Sequence, residues 1–384
     1  MRPLFKCHWS PKALKITPPL ELSIAMTSEF ETARPVTVAA CQLGPVHLAD
    51  SREDVLKRMF SLLDQAAKEG VKLAVFPELA FTTFFPRYLL EGEDLDQYFE
   101  TEDPTKGGIE QSPTIKPLFD HARSLGIDVY AGYAERSLQK DGVHVDYNSS
   151  VYYSSQEDKV IAKYRKVHLP GTVEPRTESG AYQQLEKRYF RPGNIGFPAF
   201  RAPGLVEGAL KKSDGIENLD TTGKGDPIVG MLICNDRRWP EAWRVYGLQG
   251  MEIMCCGYNT TAFPTTSSGH MVEMSLEAAE EQVMLHHKLS CQGNSYMNAC
   301  FSINVAKTGA EDGNPLVGGT MIVHPLGYII KEANTKEDEL VVATIDLADC
   351  RRPKNTVFAF EKHRRPEHYN LILEQTGVVE PELL

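Results

Sequence analysis

A short apolar run in this chain ends on Cys234. Residues 230–233 have the composition of a buried strand, and residues 235–240 carry the polar side chains and the proline typical of a helix start. We therefore expect Cys234 at the point where a strand turns into a helix. The free N–H groups and the positive dipole end of that helix favour a thiolate over a thiol. Taken alone, Cys234 fits equally well as a core cysteine that packs as a small apolar side chain.

Two further strand-like runs end in charged residues. Residues 71–76 lead into Glu78, and residues 160–165 lead into Lys166. Open α/β sheets assemble their reaction sites at such strand ends. The set predicts acyl transfer by a thiol, in which Glu78 takes the thiol proton and later activates water. Lys166 and the backbone N–H of Asn235 are then expected to hold the oxyanion of the tetrahedral intermediate.

These motifs, in this order, resemble the Glu, Lys and Cys signature of the nitrilase superfamily, also called the carbon–nitrogen hydrolases. The signature stretches are residues 76–78, 164–169 and 234–236. Longer stretches resemble the N-carbamoyl-D-amino acid amidohydrolase branch, and they are residues 79–87, 163–171, 185–190, 234–250 and 257–260. The resemblance covers residues 37–369, and motifs of this length in a fixed order are specific.

The resemblance also implies roles for residues outside the signature. It implies that Glu186 is a second buried carboxylate, which braces Lys166 and helps to position water. The residues expected around the substrate are His168, Asn235, Arg237, Arg238, Asn259 and Thr260. Paired arginines suit a substrate carboxylate because a guanidinium can donate two parallel hydrogen bonds. Without the motifs, Glu186 fits a surface helix, His168 fits a packed core position, and either arginine fits a subunit contact or a helix cap.

One position departs from the resembled branch. Its members carry a histidine directly before residues 185–190, and this chain has Gln184 there. A glutamine forms hydrogen bonds but cannot become cationic, so we expect altered recognition of a carboxylate or a carbamoyl group. We expect a smaller effect on catalysis itself.

The order of predicted elements favours one large α/β domain. We expect a first strand at residues 35–42 and a capped helix at residues 51–70, followed by further strands. We expect a surface loop at residues 207–226, before Cys234. After Cys234 we expect a helix, a strand, a long helix over residues 271–292 and three strands. This order suits two sheets packed face to face with helices outside. That is the four-layer αββα sandwich which the resemblance also implies.

The two ends of the chain differ from the predicted hydrolase domain, which we place at residues 35–372. Residues 1–20 are basic, contain no acidic residue and include four prolines. A basic, acid-poor composition is typical of mitochondrial presequences, but the prolines oppose the amphipathic helix that these form. We therefore expect a disordered extension at residues 1–34 and a cytoplasmic protein, with mitochondrial targeting as the alternative. Residues 373–384 are expected to form a tail.

Composition narrows the range of partners and cofactors. A net charge of −11 over 384 residues argues against a nucleic-acid partner, and no apolar run is long enough to cross a bilayer. The eight cysteines have no spacing typical of a zinc site. The adjacent His286 and His287 are expected to point in different directions on a helix. We therefore expect no metal, no cofactor, no nucleic acid and no membrane.

The sequence thus predicts hydrolysis of an N-carbamoyl amino acid, most specifically the D form, to the amino acid, ammonia and carbon dioxide. Cys234 is the expected nucleophile, the substrate is a small molecule, and the protein is expected to be a homodimer or homotetramer. Two alternatives stay open. One is another linear amidase or a hydrolase of β-ureido acids, and the other is a catalytically silent binding protein with the same fold.

Overall fold

The computed structural model describes residues 32–139, 142–178, 181–211, 223–261 and 274–384. The chain divides into two units, Met1–Thr32 and Ala33–Leu384, and the fold below is that of the second. The extension predicted at residues 1–34 therefore lies almost wholly outside the described residues. None of the helices in the described ranges has the length and hydropathy that a bilayer span requires.

The strands of the described residues are two to eleven residues long. They are β1 (Pro35–Gln42), β2 (Leu73–Val75), β3 (Phe99–Glu102), β4 (Asp128–Leu138), β5 (His144–Ser154), β6 (Lys159–Arg165), β7 (Phe200–Arg201), β8 (Ile228–Ile233), β9 (Ile253–Tyr258), β10 (Phe301–Ala306), β11 (Thr308–Glu311), β12 (Asn314–Val317), β13 (Met321–Val323), β14 (Ile329–Glu332) and β15 (Glu339–Asp346).

The helices of the same residues range from single turns to the 23 residues of the longest helix. They are α1 (Arg52–Lys68), α2 (Glu93–Asp96), α3 (Lys116–Leu125), α4 (Glu186–Tyr189), α5 (Pro240–Leu248), α6 (Leu276–Asn298), α7 (Arg351–Asn355), α8 (Phe360–His363) and α9 (Asn370–Glu374). Short 3₁₀ helices lie at Phe85–Arg87, Pro104–Lys106, Gly108–Gln111, Cys234–Arg238, Leu347–Cys350 and Pro366–His368.

Two large sheets and one hairpin account for the strand pairing in the described part of the chain. The first sheet has the order β15-β1-β2-β4-β5-β6, with β3 also paired to β4, and the second has the order β14-β13-β10-β9-β8-β7. Strands β1, β2 and β4 are parallel neighbours, as are β8, β9 and β10. Parallel neighbours bring their carboxyl ends to one edge of each sheet. Glu78 follows β2 at that edge of the first sheet, and Cys234 follows β8 at that edge of the second.

The two sheets pack face to face through side chains that alternate along each strand. Val36 and Val38 of β1 belong to the core between the sheets, which also contains Met231 and Ile303 of the second sheet. Cys41, on the opposite face of β1, belongs to a separate core. A strand buried on both faces requires a layer on each side, so this alternation fixes the sandwich.

Helices cover the outer face of each sheet. Leu63 of α1 and Phe119 of α3 pack on the first sheet, whereas Trp243 of α5 packs on the second. Cys291 of α6 packs against Met321 of β13 in the second sheet. The layers are therefore helix, sheet, sheet and helix, and the predicted αββα sandwich is confirmed.

Most local predictions agree with the structure, and two differ from it. β1 has the predicted bounds, and the Ser51 side chain accepts a hydrogen bond from the Asp54 N–H at the start of α1. The long helix ends at Asn298 and not near residue 292, because a left-handed residue, Ala299 (φ 49°), terminates it. Three strands were expected after this helix, and the described residues contain six. Several of them are only three or four residues long, which is too short for a clear sequence pattern.

Some predictions fall partly or wholly outside the described residues. Residues 212–222 of the predicted surface loop and residues 271–273 of the predicted long helix are among them. The boundaries at residues 35–372 and 373–384 stay predictions, and α9 ends at Glu374.

Two glycines allow the chain around Glu78 to pass between the sheets. A Cβ at Gly132 of β4 would lie 2.8 Å from the Glu78 Cα, and a Cβ at Gly257 of β9 would lie 2.6 Å from the Glu78 backbone nitrogen. Neither distance is tolerated between a Cβ and backbone atoms. Both sheets therefore hold the Glu78 backbone at a spacing that only glycine permits.

We expect Gly257→Ala to lower the free energy of unfolding by about 1–3 kcal/mol or more, because overpacked cores strain the backbone. Thermal unfolding of purified protein measures the loss. Gly293→Ala is the matched control, since its Cβ would meet only Met297 Cε at 3.8 Å inside α6. That change should be neutral or stabilising by up to about 1 kcal/mol. Equal stabilities for the native chain and Gly257→Ala would contradict the close approach.

Candidate active site

Cys234 lies at a strained turn between β8 and the following helices. β8 ends at Ile233, a 3₁₀ helix occupies Cys234–Arg238, and α5 begins at Pro240. Cys234 has a φ of 49°, which is uncommon for a residue other than glycine. Backbone strain of this kind concentrates at functional sites. Its thiol is nearly buried and donates a hydrogen bond to the Asn259 carbonyl at 3.4 Å. The predicted turn from strand to helix is confirmed.

The expectation that a helix terminus holds Cys234 as a thiolate is wrong for this structure. Burial, followed by the charge of Glu78, raises the pKa of the thiol above its usual value. Lys166 and Arg237 act in the opposite direction without cancelling the rise. The helix that follows is a 3₁₀ helix of five residues, too short to build the dipole of a long α-helix. The resting nucleophile is therefore a neutral thiol beside the groups that can deprotonate it.

A buried ammonium joins the two predicted carboxylates. Lys166 Nζ lies 2.7 Å from Glu78 Oε1 and 2.6 Å from Glu186 Oε2, and all three side chains are fully buried. Burial works to lower the pKa of Lys166, but the nearby thiol and the two carboxylates outweigh it and raise that pKa. The lysine stays charged because each carboxylate gives it a direct partner. The structure thus brings together the four residues predicted as catalytic.

Two asparagines hold Glu78 in place. Asn148 Nδ2 donates to Glu78 Oε1 at 2.8 Å and to Glu186 Oε2 at 3.3 Å. Asn259 donates to Glu78 Oε2 through its backbone N–H at 3.0 Å and through Nδ2 at 3.3 Å. The sequence analysis missed Asn148, which lies among several other polar residues of β5, so that no local pattern marks it. The Oδ1 atoms of both asparagines are buried without a partner among the described residues.

Glu186 has a different protonation behaviour from that of an ordinary glutamate. Burial raises its pKa to about 7, Lys166 acts to lower it, and Glu78 adds to the rise. Gln184 donates to the other oxygen of Glu186 at 3.3 Å. The residue that departs from the resembled branch therefore contacts the second carboxylate.

Asp236 organises the wall beside the thiol. One of its oxygens accepts from the His168 backbone N–H at 2.9 Å and lies 2.7 Å from His168 Nδ1. Its other oxygen accepts from Tyr164 Oη at 2.8 Å. His168 stacks on Trp239 with ring centroids 4.7 Å apart, and Asn235 donates to the His168 carbonyl at 3.0 Å. Asp236 was part of the signature, but no role was predicted for it.

The two arginines of the motif occupy different environments. The Arg237 side chain is buried, and it donates to the Cys234 carbonyl at 2.6 Å and to Thr260 Oγ1 at 3.0 Å. Arg238 is exposed and donates to Asn235 Oδ1 at 3.1 Å. The positive charge of Arg237, followed by partial loss of solvent around the guanidinium, lowers the pKa of Arg238 to about 10, so Arg238 stays cationic at neutral pH. The donor nitrogens of Arg237 thus already have protein partners, whereas Arg238 has donors left over, and the predicted contact of at least one of these arginines with substrate stays a prediction.

The site offers a thiol, a carboxylate, an ammonium and a second carboxylate within one buried cluster. Covalent acyl transfer needs a nucleophile, a proton acceptor and a cation at the developing oxyanion. The αββα sandwich and this cluster together fit an enzyme that transfers an acyl group through a cysteine.

Comparison with known proteins identifies the family. Residues 37–355 match the family model described as Carbon-nitrogen hydrolase, so the chain belongs to the carbon–nitrogen hydrolase family. It is similar to an N-carbamoylputrescine amidase of Oryza sativa subsp. japonica, at 27% identity over 350 residues, 89% of this chain and 96% of that protein. It is also similar to a citrullinase of Francisella tularensis subsp. tularensis, at 27% identity over 344 residues, 88% of this chain and 99% of that protein.

A solved structure shares the fold. The carbon-nitrogen hydrolase from Helicobacter pylori G27 aligns with a TM-score of 0.66 at 20% identity, covering 89% of this chain and 99% of that one. The match to the family model over residues 37–355 identifies the chain as a hydrolase of carbon–nitrogen bonds in the nitrilase superfamily.

We expect Lys166→Met to make stability fall as the pH rises. Lys166 lowers the pKa of Glu186, so its removal raises that pKa further above 7. The folded variant then binds a proton that the unfolded chain, with a glutamate pKa of 4.5, releases. Glu186 of the native chain also keeps its proton up to about pH 7, so the stability deficit of the variant relative to the native chain grows above about pH 7. Thermal unfolding at about pH 5 and about pH 8 measures it.

Lys163→Met, in β6 shortly before Lys166, is the matched control. Lys163 pairs with Glu102 and, at 3.3 Å, with Glu135. Arg165 also pairs with Glu135 and Tyr133 Oη also donates to Glu102, so both carboxylates keep a partner in the variant. Its deficit should change little with pH. A deficit for Lys166→Met that is constant with pH would contradict the paired buried carboxylates.

Proposed function

We propose that the protein hydrolyses N-carbamoyl amino acids, most specifically the D form, through a covalent intermediate on Cys234. The observation that carries this proposal is the buried contact of Lys166 with both Glu78 and Glu186, beside a thiol at a strained turn. A cation held between two carboxylates has no need of a third partner for stability. We propose that its charge stabilises the oxyanion that develops during attack.

The proposed reaction has two halves. Glu78 takes the thiol proton while Sγ of Cys234 attacks the carbamoyl carbon, and Lys166 with the backbone N–H of Asn235 stabilises the oxyanion. The protonated Glu78 then gives its proton to the leaving nitrogen. In the second half, Glu78 takes a proton from water as the water attacks the acyl carbon, and the proton returns to the sulfur as the carbon–sulfur bond breaks. This step releases a carbamic acid, which splits into carbon dioxide and an amine. The products are the amino acid, ammonia and carbon dioxide.

The amide acceptors near Glu78 support a carbamoyl substrate. The Asn259 side chain donates to Glu78, so its Oδ1 is the acceptor end, and that atom has no partner among the described residues. A carbamoyl group carries N–H donors that such an oxygen can accept. The names of the rice and Francisella relatives also point to carbamoyl nitrogen compounds, N-carbamoylputrescine and citrulline.

Arg238 is the cation we propose for the substrate carboxylate. It is exposed and uses one donor on Asn235, so its remaining donors can form a planar fork. Thr260 accepts from Arg237 and keeps its own hydroxyl hydrogen for a ligand. Asp236 contacts one ring nitrogen of His168, Nδ1, and this contact fixes the orientation of the imidazole ring. These three side chains border the same turn as Cys234.

A second candidate is hydrolysis of a carbamoyl amine or another linear amide. The rice relative, whose name specifies N-carbamoylputrescine, favours it because that compound carries an amine where an amino acid carries a carboxylate. A silent binding protein is the third possibility, and the intact contacts of Glu78, Lys166 and Glu186 argue against it. The cytoplasmic location and the homodimer or homotetramer stay predictions.

We expect Cys234→Ser to abolish turnover with little change in thermal stability, because a hydroxyl is a far weaker nucleophile than a thiol at neutral pH. Ammonia release measures turnover, and thermal unfolding measures stability. Cys41→Ala is the control, since Cys41 is buried in the core below α1, away from the site. Native activity in Cys234→Ser would remove the covalent mechanism.

The carboxylate assignment predicts a substrate preference. Removing or esterifying the carboxylate of an N-carbamoyl amino acid should lower kcat/KM by about 100-fold, the scale of a lost charge-assisted contact in a partly dry site. Arg238→Ala should erase most of that preference, and Arg238→Lys should restore part of it because an ammonium cannot form the planar fork. A panel of D and L carbamoyl amino acids, N-carbamoylputrescine and citrulline measures this. Equal rates with and without the carboxylate favour the second candidate.

A further inference from the structure

Arg237 is a buried cation without a carboxylate partner among the described residues. Its guanidinium lies 4.5 Å from the centroid of the Tyr258 ring, and Nη1 lies 3.8 Å from Cys234 Sγ as well as 2.6 Å from the Cys234 carbonyl. The Nε atom of Arg237 donates to His287 Nδ1 at 3.1 Å. A buried charge is costly unless its donors are satisfied, so each of these neutral acceptors matters.

The hydrogen bonds around His287 determine its tautomer. Nδ1 must accept from Arg237, so the ring proton is on Nε2. Nε2 lies 3.0 Å from the Gly319 carbonyl and 2.9 Å from Tyr258 Oη, and Tyr258 in turn donates to the Gly318 carbonyl at 3.1 Å. Burial, followed by the charge of Arg237, lowers the pKa of His287 well below its usual value. The ring is therefore neutral, and both of its nitrogens are used.

We infer that His287 is a positioning residue for the nucleophile: it holds the Arg237 guanidinium against Cys234 through the bond from Nε to Nδ1. This role rests on the proposed function of Cys234. The guanidinium supports the Cys234 carbonyl at the strained turn and places a positive charge beside the sulfur. Without the acceptor on His287, the guanidinium is free to rotate away, and the thiolate that forms during attack loses one of its two cations.

The same contacts argue against other roles for His287. It cannot act as a general base, because Nδ1 faces a guanidinium and Nε2 carries the proton. Its neighbour on α6, His286, is exposed, so the adjacent pair does not converge on one ligand. A purely structural role, in which His287 only anchors α6, predicts a loss of stability without a change in the reactivity of the thiol.

The test compares two polar replacements of His287. An asparagine places its Oδ1 near the position of Nδ1 and keeps the acceptor for Arg237, whereas a glutamine reaches the position of Nε2 and loses it. The measurement is the rate of iodoacetamide alkylation of Cys234 as a function of pH, followed by peptide mass spectrometry. The thiol faces Glu78, Lys166, Glu186 and Arg237, and only the contact with Arg237 differs between the variants.

We expect His287→Gln to shift the midpoint pH of alkylation upward by about half a unit to one unit, since a nearby cation is removed. It should also lower kcat by about tenfold, with little change in KM. His287→Asn should stay close to the native chain in both measurements. Equal shifts in the two variants, no shift in either, or a shift in His287→Asn alone would overturn the inference.

A control separates positioning from stability. Ser295, also buried on α6, bonds to Ser302 at 2.8 Å and does not contact Arg237. Ser295→Ala should lower thermal stability without moving the alkylation midpoint, and a shift there as large as in His287→Gln would overturn the inference. The native chain tests the proposed function separately, because alkylation needs no substrate. If Cys234 of the native chain resists alkylation across the pH range, the proposed function fails, and the inference fails with it.

Discussion

The charge of Lys166, held between Glu78 and Glu186, is the interaction on which the site depends. Three ionisable groups without solvent contact are tolerated only because each carboxylate meets the same ammonium at hydrogen-bond distance. Removing the ammonium leaves two buried carboxylates without a cation, and removing either carboxylate leaves the ammonium with a single anionic partner. The cluster therefore fixes the orientation of the proton acceptor and of the oxyanion cation together, before a substrate arrives.

The fold supplies this cluster through the ends of strands in two different sheets. Glu78 follows β2 of the first sheet, and Cys234 follows β8 of the second. The chain around Glu78 passes between Gly132 and Gly257, and Asn259 at the end of β9 completes the carboxylate's hydrogen bonds. The face-to-face packing of the sheets is thus a condition for the chemistry as well as for stability.

The sequence predicts the catalytic groups better than it predicts their surroundings. Cys234, Glu78 and Lys166 each follow an apolar run with a clear strand pattern, so their positions at strand ends follow from local periodicity. Asn148 and His287 reach the site through contacts between distant segments, which no local pattern records. The thiol's raised pKa could not be predicted either, because it depends on complete burial of the site and on the charge of Glu78.

The same distinction explains the fold predictions. β1 and the Ser51 cap were predicted because alternation and capping are local, whereas β11 and β12 were missed because four residues give too short a pattern. The environment of Arg237 shows most clearly that a local motif does not predict contacts between distant segments. Its motif suggested a substrate ligand, but the packing of α6 against the turn at Cys234 gives that guanidinium protein partners instead.

The central claim is that Cys234 carries the acyl group during hydrolysis. Rapid acid quenching of the protein during turnover of an N-carbamoyl amino acid, followed by peptide mass spectrometry, tests it most directly. We predict a mass increase on the Cys234 peptide equal to a carbamoyl group or to the substrate less ammonia, according to which nitrogen leaves first. Continuous ammonia release with an unmodified Cys234 peptide at every quench time would contradict the account.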